Sequence, residues 1–136
     1  MKDLNESVRD EIDVILRHAQ KALTTGDKQS ATKLAEEAWS KLPDPKFGWD
    51  VSKSFAHAVA ELYRDTGNFS AALKVMNNLF LSGTVKPYQD GPYFILGTIY
   101  FELGDLENAK KSLIKAAKIS KGRCFNGEPE KYKSII

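Results

Sequence analysis

The stretch of sequence that decides the fold is Gly-Asp-Leu-Glu-Asn-Ala, residues 104–109. Residues 26–31 and 67–72 repeat its pattern: a glycine, then an aspartate or asparagine, then three other residues and an alanine. The glycines, Gly26, Gly67 and Gly104, are 41 and 37 residues apart. Each segment lies between two stretches whose apolar residues recur at helical spacing. The chain is therefore predicted to consist of a repeated unit.

The repeated segment predicts two helices joined by a tight turn. Glycine adopts the left-handed conformation that ends a helix, and the Asp or Asn after it can cap the next helix. The alanine falls where the two helices of the hairpin cross closely, so its side chain must be small. On this basis seven helices are predicted, over residues 5–24, 28–41, 50–65, 69–81, 90–103, 106–119 and 129–135.

The residues on either side of the turns also follow a repeated pattern. In the third unit the key positions are Tyr93, Leu96-Gly97, Tyr100, Ala109, Leu113 and Ala116. In the second unit they are Ala56, Val59-Ala60, Tyr63, Ala72, Met76 and Leu79, and in the first Ile15, His18-Ala19, Ala22, Ala31, Ala35 and Ala38. This arrangement resembles the tetratricopeptide repeat of about 34 residues, most closely in the third unit. The longer spacings place extra residues in two Pro- and Gly-containing loops, residues 42–49 and 82–89.

The resemblance implies an all-α fold, a short right-handed α-solenoid of three tetratricopeptide-like hairpins closed by a C-terminal capping helix. The expected repeats cover about residues 8–43, 50–84 and 90–121, with the tail and capping helix over residues 122–136. All of them are expected to form one domain spanning residues 1–136.

Composition excludes several classes of protein. The chain has 136 residues, of which 42% are apolar and 28% charged, enough for one packed domain. Cys124 is the only cysteine, so no internal disulfide forms. No apolar run approaches the roughly 18–20 residues of a membrane span, and residues 1–6 do not resemble a signal peptide. We expect a soluble, cytoplasmic protein.

The resemblance also implies a binding scaffold without chemistry of its own, in which the first helix of each hairpin lines a concave groove that holds a peptide or protein. Leu16, Leu23, Phe94 and Phe101 are the expected apolar anchors, and His57, Glu61 and Arg64 the polar selectors. Gln20 and Thr98 also lie at groove-facing positions of their helices and are expected to contact the partner. The alternative for the aromatic pair is packing between adjacent helices or under the tail helix.

One well-known ligand class is excluded by the groove register. Members of the family that bind chaperone tails hold carboxylates with a clamp of Lys, Asn and Arg. The matching positions here carry Leu16, Gln20, Ala58, Gly91 and Ile95. None of these is cationic, so a chaperone C-terminal carboxylate is not the expected ligand.

No catalytic, metal or cofactor motif is found. Neither Gly-x-x-x-x-Gly-Lys nor Gly-x-Gly-x-x-Gly occurs, and His18 and His57 lack ligand partners at metal-binding spacing. Cys124 has basic neighbours but no accompanying base. The expectation is therefore a non-enzyme without catalytic residues, metal or cofactor.

Two other functions stay open. Residues 107–136 carry 8 Lys and Arg against 3 Asp and Glu, and Lys111, Lys115 and Lys118 recur along the sixth helix. This strip would suit nucleic acid or an acidic partner, or it is a solvated face whose lysine stems cover apolar surface. Sequence-specific nucleic-acid binding is not expected, because no recognition helix or stacking pair accompanies it. The other alternative is an adaptor or assembly subunit that self-associates.

The tail carries a second resemblance. Residues 122–132, Gly-Arg-Cys-Phe-Asn-Gly-Glu-Pro-Glu-Lys-Tyr, are similar to the end of small bacterial tetratricopeptide proteins, some of which look like immunity proteins encoded beside secreted toxins. This resemblance implies a folded toxin domain as the partner. From the residues alone, Phe125 and Tyr132 are expected to anchor the closing helix.

Overall fold

The computed structural model describes residues 1–136 and is all-helical. The elements are α1 (Glu6–Thr24), α2 (Lys28–Lys41), α3 (Ser52–Asp65), α4 (Phe69–Leu81), α5 (Asp90–Glu102), α6 (Leu106–Ser120), one turn of 3-10 helix (Arg123–Phe125) and α7 (Glu130–Lys133). The prediction of an all-α fold of helical hairpins is confirmed. No helix combines the length and the apolar character that crossing a bilayer requires.

The chain divides into two compact units, Met1–Ser82 and Gly83–Ile136. The first unit holds the α1–α2 and α3–α4 hairpins, and the second holds the α5–α6 hairpin and the tail. The expectation of one domain over residues 1–136 stays a prediction.

The three hairpin turns have the same backbone geometry. Gly26, Gly67 and Gly104 all have positive φ, at 86°, 84° and 83°. In each turn the glycine N–H donates to the carbonyl three residues earlier, and the next N–H donates to the carbonyl five residues earlier. This pair of bonds is the Schellman motif, which satisfies the last carbonyls of the first helix. The turn chemistry predicted from the sequence is therefore present in all three hairpins.

The capping residues after these glycines do not all behave alike. Asp27 accepts from the Ser30 N–H at 3.1 Å, and Asp105 accepts from the Asn108 N–H at 3.2 Å. Side-chain hydrogen bonds from Ser30 and Asn108 also lower the pKa of the two carboxyl groups. Both aspartates are therefore N-caps, as expected from the sequence.

Asn68 corrects the expectation at the second turn, because its side chain makes no cap bond. Its Nδ2 instead donates to Thr32 Oγ1 at 3.0 Å and to Thr66 Oγ1 at 2.8 Å. Both threonine hydroxyls donate in turn to helix carbonyls, of Lys28 and Leu62. Asn68 thus joins the second hairpin to the first through Thr32, because its amide nitrogen carries two N–H groups and can donate to both hydroxyls.

The first unit is held together by close helix crossings and one apolar cluster. Ala31 and Ala72, the alanines of the repeated pattern, are fully buried. They let the helices of each hairpin approach without a void. The cluster between the helices consists of Leu4, Ile12, Ile15, Ala38, Leu42 and Phe55.

The connection over residues 42–51 is ordered by the N-terminus. The Lys2 N–H donates to the Gly48 carbonyl at 3.2 Å, and the Asp50 N–H donates to the Lys2 carbonyl at 2.9 Å. Lys46 Nζ donates to the carbonyls of Trp39 and Leu42. Leu42 is the α2 C-cap, so the lysine satisfies carbonyls at the end of α2. The extra residues of this loop therefore close the first unit.

The second unit has its own close crossing and its own cover. A Cβ built on Gly97 would lie 2.7 Å from Leu113 Cγ, so α5 and α6 approach too closely there for any larger residue. The tail covers α5 with Phe125 and Tyr132, both buried. Helix α7 is shorter than predicted, since it spans Glu130–Lys133 and the prediction was residues 129–135. The 3-10 turn that precedes it was not predicted as a helix.

We expect Asn68→Asp to lower the free energy of unfolding by about 1–2 kcal/mol, because a carboxylate cannot donate to the two threonine hydroxyls. The matched control is Asp105→Asn, which we expect to cost only a few tenths of a kcal/mol because Asn caps nearly as well as Asp. Urea unfolding followed by circular dichroism measures both. Equal losses in the two variants would show that Asn68 acts as an ordinary cap.

Candidate functional site

The candidate site residues of the first unit lie on two helices that contact each other, α1 and α3. On α1, Leu16 and Leu23 are half-buried and Gln20 is exposed. On α3, Ala58 and Glu61 are half-buried. Intervals of three and four residues place each set on one side of its helix. We call these five residues the α1–α3 face.

Leu16 shows why this face is only partly available. It packs against the apolar cluster of the first unit, so part of its side chain stabilises the fold. Leu23 sits one turn before the Gly26 turn and is half-buried as well. The accessible remainder of the two leucines, with the Gln20 amide between them, forms an apolar stripe with one polar group.

Arg64 does not extend freely from α3, as a polar selector would. Its side chain is only 9% exposed. Its Nε lies 2.9 Å from Asp65 Oδ1, and its Nη2 lies 3.8 Å from Glu61 Oε2. The guanidinium therefore fixes the Glu61 carboxylate at the edge of the α1–α3 face, which makes Arg64 a positioning residue.

His57 is held in a more enclosed position than the sequence suggested. Its Nε2 is buried and has no hydrogen-bond partner. Burial, followed by the nearby charge of Lys53, lowers the pKa of His57 below its ordinary value of 6.5. The imidazole is therefore neutral near pH 7, and its Nε2 is not open to a partner.

The expectation for Phe94 and Thr98 in the second unit is corrected. Phe94 is 4% exposed and makes edge contacts with the rings of Phe125 at 5.8 Å and Tyr132 at 6.1 Å. The Thr98 side chain is fully buried and donates to the Ile95 carbonyl. Phe94 and Thr98 are core residues, and the tail covers Phe94 with the rings of Phe125 and Tyr132.

Phe101 is intermediate between core and surface. Its ring is half-buried and packs edge-on against Tyr132 at 5.3 Å. Lys131 Nζ lies 5.8 Å from the ring centroid and also bonds the Glu102 carboxylate. The tail therefore covers one side of Phe101. This matches the alternative considered from the sequence, in which the ring packs under the tail helix.

Sequence reasoning missed the aromatic surface beside the 42–51 connection. Trp39 and Phe47 pack with ring centroids 5.7 Å apart, and Lys46 Nζ lies 5.4 Å from the Trp39 ring. A shallow pocket beside Trp39 is lined also by Tyr63, Ala71, Lys74, Val75 and Asn78. The signal was present as Lys-Phe-Gly-Trp at residues 46–49, inside a segment predicted only as a loop.

No three or more His, Cys, Asp or Glu side chains come together in a way that would hold a metal ion. Cys124 is half-buried, and its N–H donates to the Ser120 hydroxyl at 3.0 Å.

We expect Phe94→Ala to lower the free energy of unfolding by about 3–5 kcal/mol, the cost of emptying a buried aromatic site. Phe94→Leu, which keeps most of the apolar volume, is the control and should lose clearly less. Thermal and urea unfolding measure both. A loss in Phe94→Ala below about 1 kcal/mol would contradict the placement of this ring in the core.

The pH dependence of stability should report on His57. As the pH falls from 7.5 to 5, the unfolded imidazole takes up a proton near its ordinary pKa, whereas the lowered pKa shifts proton uptake by the folded imidazole to lower pH. Acidification therefore favours the unfolded state, and stability falls. His57→Leu should reduce this loss, measured by urea unfolding of the variant and the unmodified chain at each pH. An unchanged loss in His57→Leu would exclude the buried, neutral imidazole.

Residues 91–122 match the family model described as Tetratricopeptide repeat, a segment that runs from the start of α5 to just beyond α6. No curated protein matches the chain, and no solved structure matches it. The matched segment contains the Gly104 turn, the Gly97–Leu113 crossing and the buried Ala109. Residues 91–122 therefore contain a tetratricopeptide repeat, and the α5–α6 hairpin is the part of the chain that the family model matches.

Proposed function

We propose that this protein is a non-catalytic binding module, acting in the cytoplasm, that holds a peptide or protein segment against the α1–α3 face. The tetratricopeptide repeat at residues 91–122 supports a role in protein–protein interaction, and the family is generally non-catalytic. Fold alone does not choose the surface, so the choice depends on which side chains remain accessible.

The observation that carries the proposal is the partial exposure of Leu16 and Leu23 next to a polar rim. Leu16 packs against the apolar cluster and Leu23 is half-buried, so both side chains have restricted freedom to lose when a partner covers them. Gln20 offers an amide that both donates and accepts, and the Arg64–Glu61 pair holds a carboxylate at the rim. A small apolar centre surrounded by polar groups is the usual arrangement of an interface hot spot.

The α1–α3 face also restricts the partner. Leu16, Gln20 and Ala58 occupy positions at which a carboxylate clamp would need cations. The fixed Glu61 carboxylate further disfavours an acidic ligand at this place. The proposed partner segment is therefore apolar with neutral or basic flanks, and it is not a chaperone C-terminal tail.

A folded toxin domain is the specific partner that the resemblance of residues 122–132 suggests, with this chain as its immunity protein. In the structure Phe125 and Tyr132 of that segment are buried against α5, which accounts for their presence by packing. A toxin encoded beside this chain would be the first partner to titrate. An inhibited toxin would support the immunity role, and an unaffected one would leave the general binding function to be tested with other partners.

The test of the α1–α3 face is Leu23→Ala, with Val14→Ala as its matched control. The two positions are nine residues apart, about 180° around α1, and Val14 is 39% exposed. A partner is first captured from lysate on the full chain and then purified for calorimetric titration. We expect Leu23→Ala to weaken binding about tenfold, since an apolar interface anchor contributes more than about 1 kcal/mol, and Val14→Ala to change it less than twofold.

Two results would overturn the proposal. If Val14→Ala weakens binding as much as Leu23→Ala, the partner does not use the α1–α3 face. If no purified partner binds saturably and light scattering shows assembly that grows with protein concentration, the chain is a self-associating assembly subunit instead.

A further inference from the structure

We propose that the outer side of α6 is a second docking surface, one that binds an acidic amphipathic protein segment. We call it the α6 basic face and define it by Lys110, Lys111, Ile114, Lys118 and Lys121. This surface lies in the second unit and does not rest on the assignment of the α1–α3 face.

The packing of α6 fixes which side chains point outward. Ala109, Leu113, Ala116 and Ser120 are buried and form the inner side of the helix. Lys110, Lys111 and Lys118 are all exposed, and helical spacing places them around the opposite side. Ile114 lies among them, four residues from Lys110 and from Lys118, and is 47% exposed.

The charges of this face are not neutralised within the chain. Lys110, Lys118 and Lys121 form no ion pair, and Lys111 has only a highly exposed partner, Glu107, at 3.7 Å. Such an exposed pair is weak and easily exchanged for a better one. The other cations nearby are already used, since Lys115 lies over the Tyr93 ring at 4.5 Å and Lys131 bonds Glu102.

The lysines favour an acidic ligand by charge complementarity, and Ile114 favours a protein segment over a nucleic acid. A half-exposed isoleucine between lysines offers an apolar contact that a phosphate backbone does not use. The helix carries no aromatic side chain on which a base could stack. A segment with carboxylates on either side of an apolar residue matches both features, with Lys110 and Lys118 about 12 Å apart along the helix axis.

The test uses a fluorescein-labelled 15-residue peptide in which pairs of Glu alternate with pairs of Leu at helical spacing. The peptide is titrated with the full chain at 50 and 200 mM salt. The variant K110Q/K111Q/K118Q removes three charges from the face. The matched control K21Q/K28Q/K33Q removes three charges from exposed lysines of the first unit. We expect the first variant to weaken binding about tenfold, and the control to weaken it less than twofold, because the control variant leaves the charges of the α6 basic face unchanged.

The apolar contact has its own matched pair. Ile114 and Leu106 are equally exposed on the same helix, at 47% each. Ile114→Ala should weaken peptide binding about threefold to fivefold, whereas Leu106→Ala should leave it within twofold. Circular dichroism should show unchanged helix content in both variants, since alanine favours helices.

Several results would overturn the proposal. They are absence of saturable peptide binding at 50 mM salt, equal weakening in the two triple variants, and no effect of Ile114→Ala. A tighter complex with an oligouridylate RNA or with phosphatidylserine vesicles, insensitive to Ile114→Ala, would assign the face to phosphate groups instead.

Discussion

The structure depends on the close approach of two helices within each hairpin. At Gly97 the backbone of α5 comes so near Leu113 that even a methyl group would overlap it. Ala31, Ala72 and Ala109 are fully buried on the second helix of their hairpins. A left-handed glycine in each three-residue turn reverses the chain between the two helices, which brings them together at a small cost in loop-closure entropy.

The close helix crossings require small residues. The large apolar side chains therefore lie elsewhere on the helices, where another element must cover them or they stay partly exposed. In the second unit Phe94 and Phe101 project from α5, and the tail covers them with Phe125 and Tyr132. An uncovered pair of phenylalanines would expose apolar surface that favours aggregation. The α5 side therefore serves stability, and the half-buried leucines of the proposed α1–α3 face, Leu16 and Leu23, lie on α1.

The polar groups divide between positioning and recognition. Arg64 is nearly buried and is held by Glu61 and Asp65, whereas the lysines of the α6 basic face remain solvated. If a partner displaced the nearly buried guanidinium of Arg64, its ion pairs would be lost at a high cost. Arg64 therefore stays in place and fixes Glu61 and Asp65. Solvated lysines lose little when they exchange water for carboxylates, and they attract an acidic segment from a distance. The two proposed surfaces thus favour partners of different charge.

The sequence by itself determined the helices, because their signals are local. The Gly104 turn, the Asp105 cap and the buried Ala109 follow from residues that lie next to one another, and α4 spans the predicted residues 69–81. The fit of residues 91–122 to the tetratricopeptide repeat rests on the same local spacing. Only the tertiary structure decided the fate of side chains that have partners far along the chain. Phe94 is core because Phe125 and Tyr132 cover it, and Asn68 bonds Thr32 across 36 residues instead of capping α4. The spacing of residues along a helix gives the direction of a side chain, but which distant group meets it depends on how the elements pack.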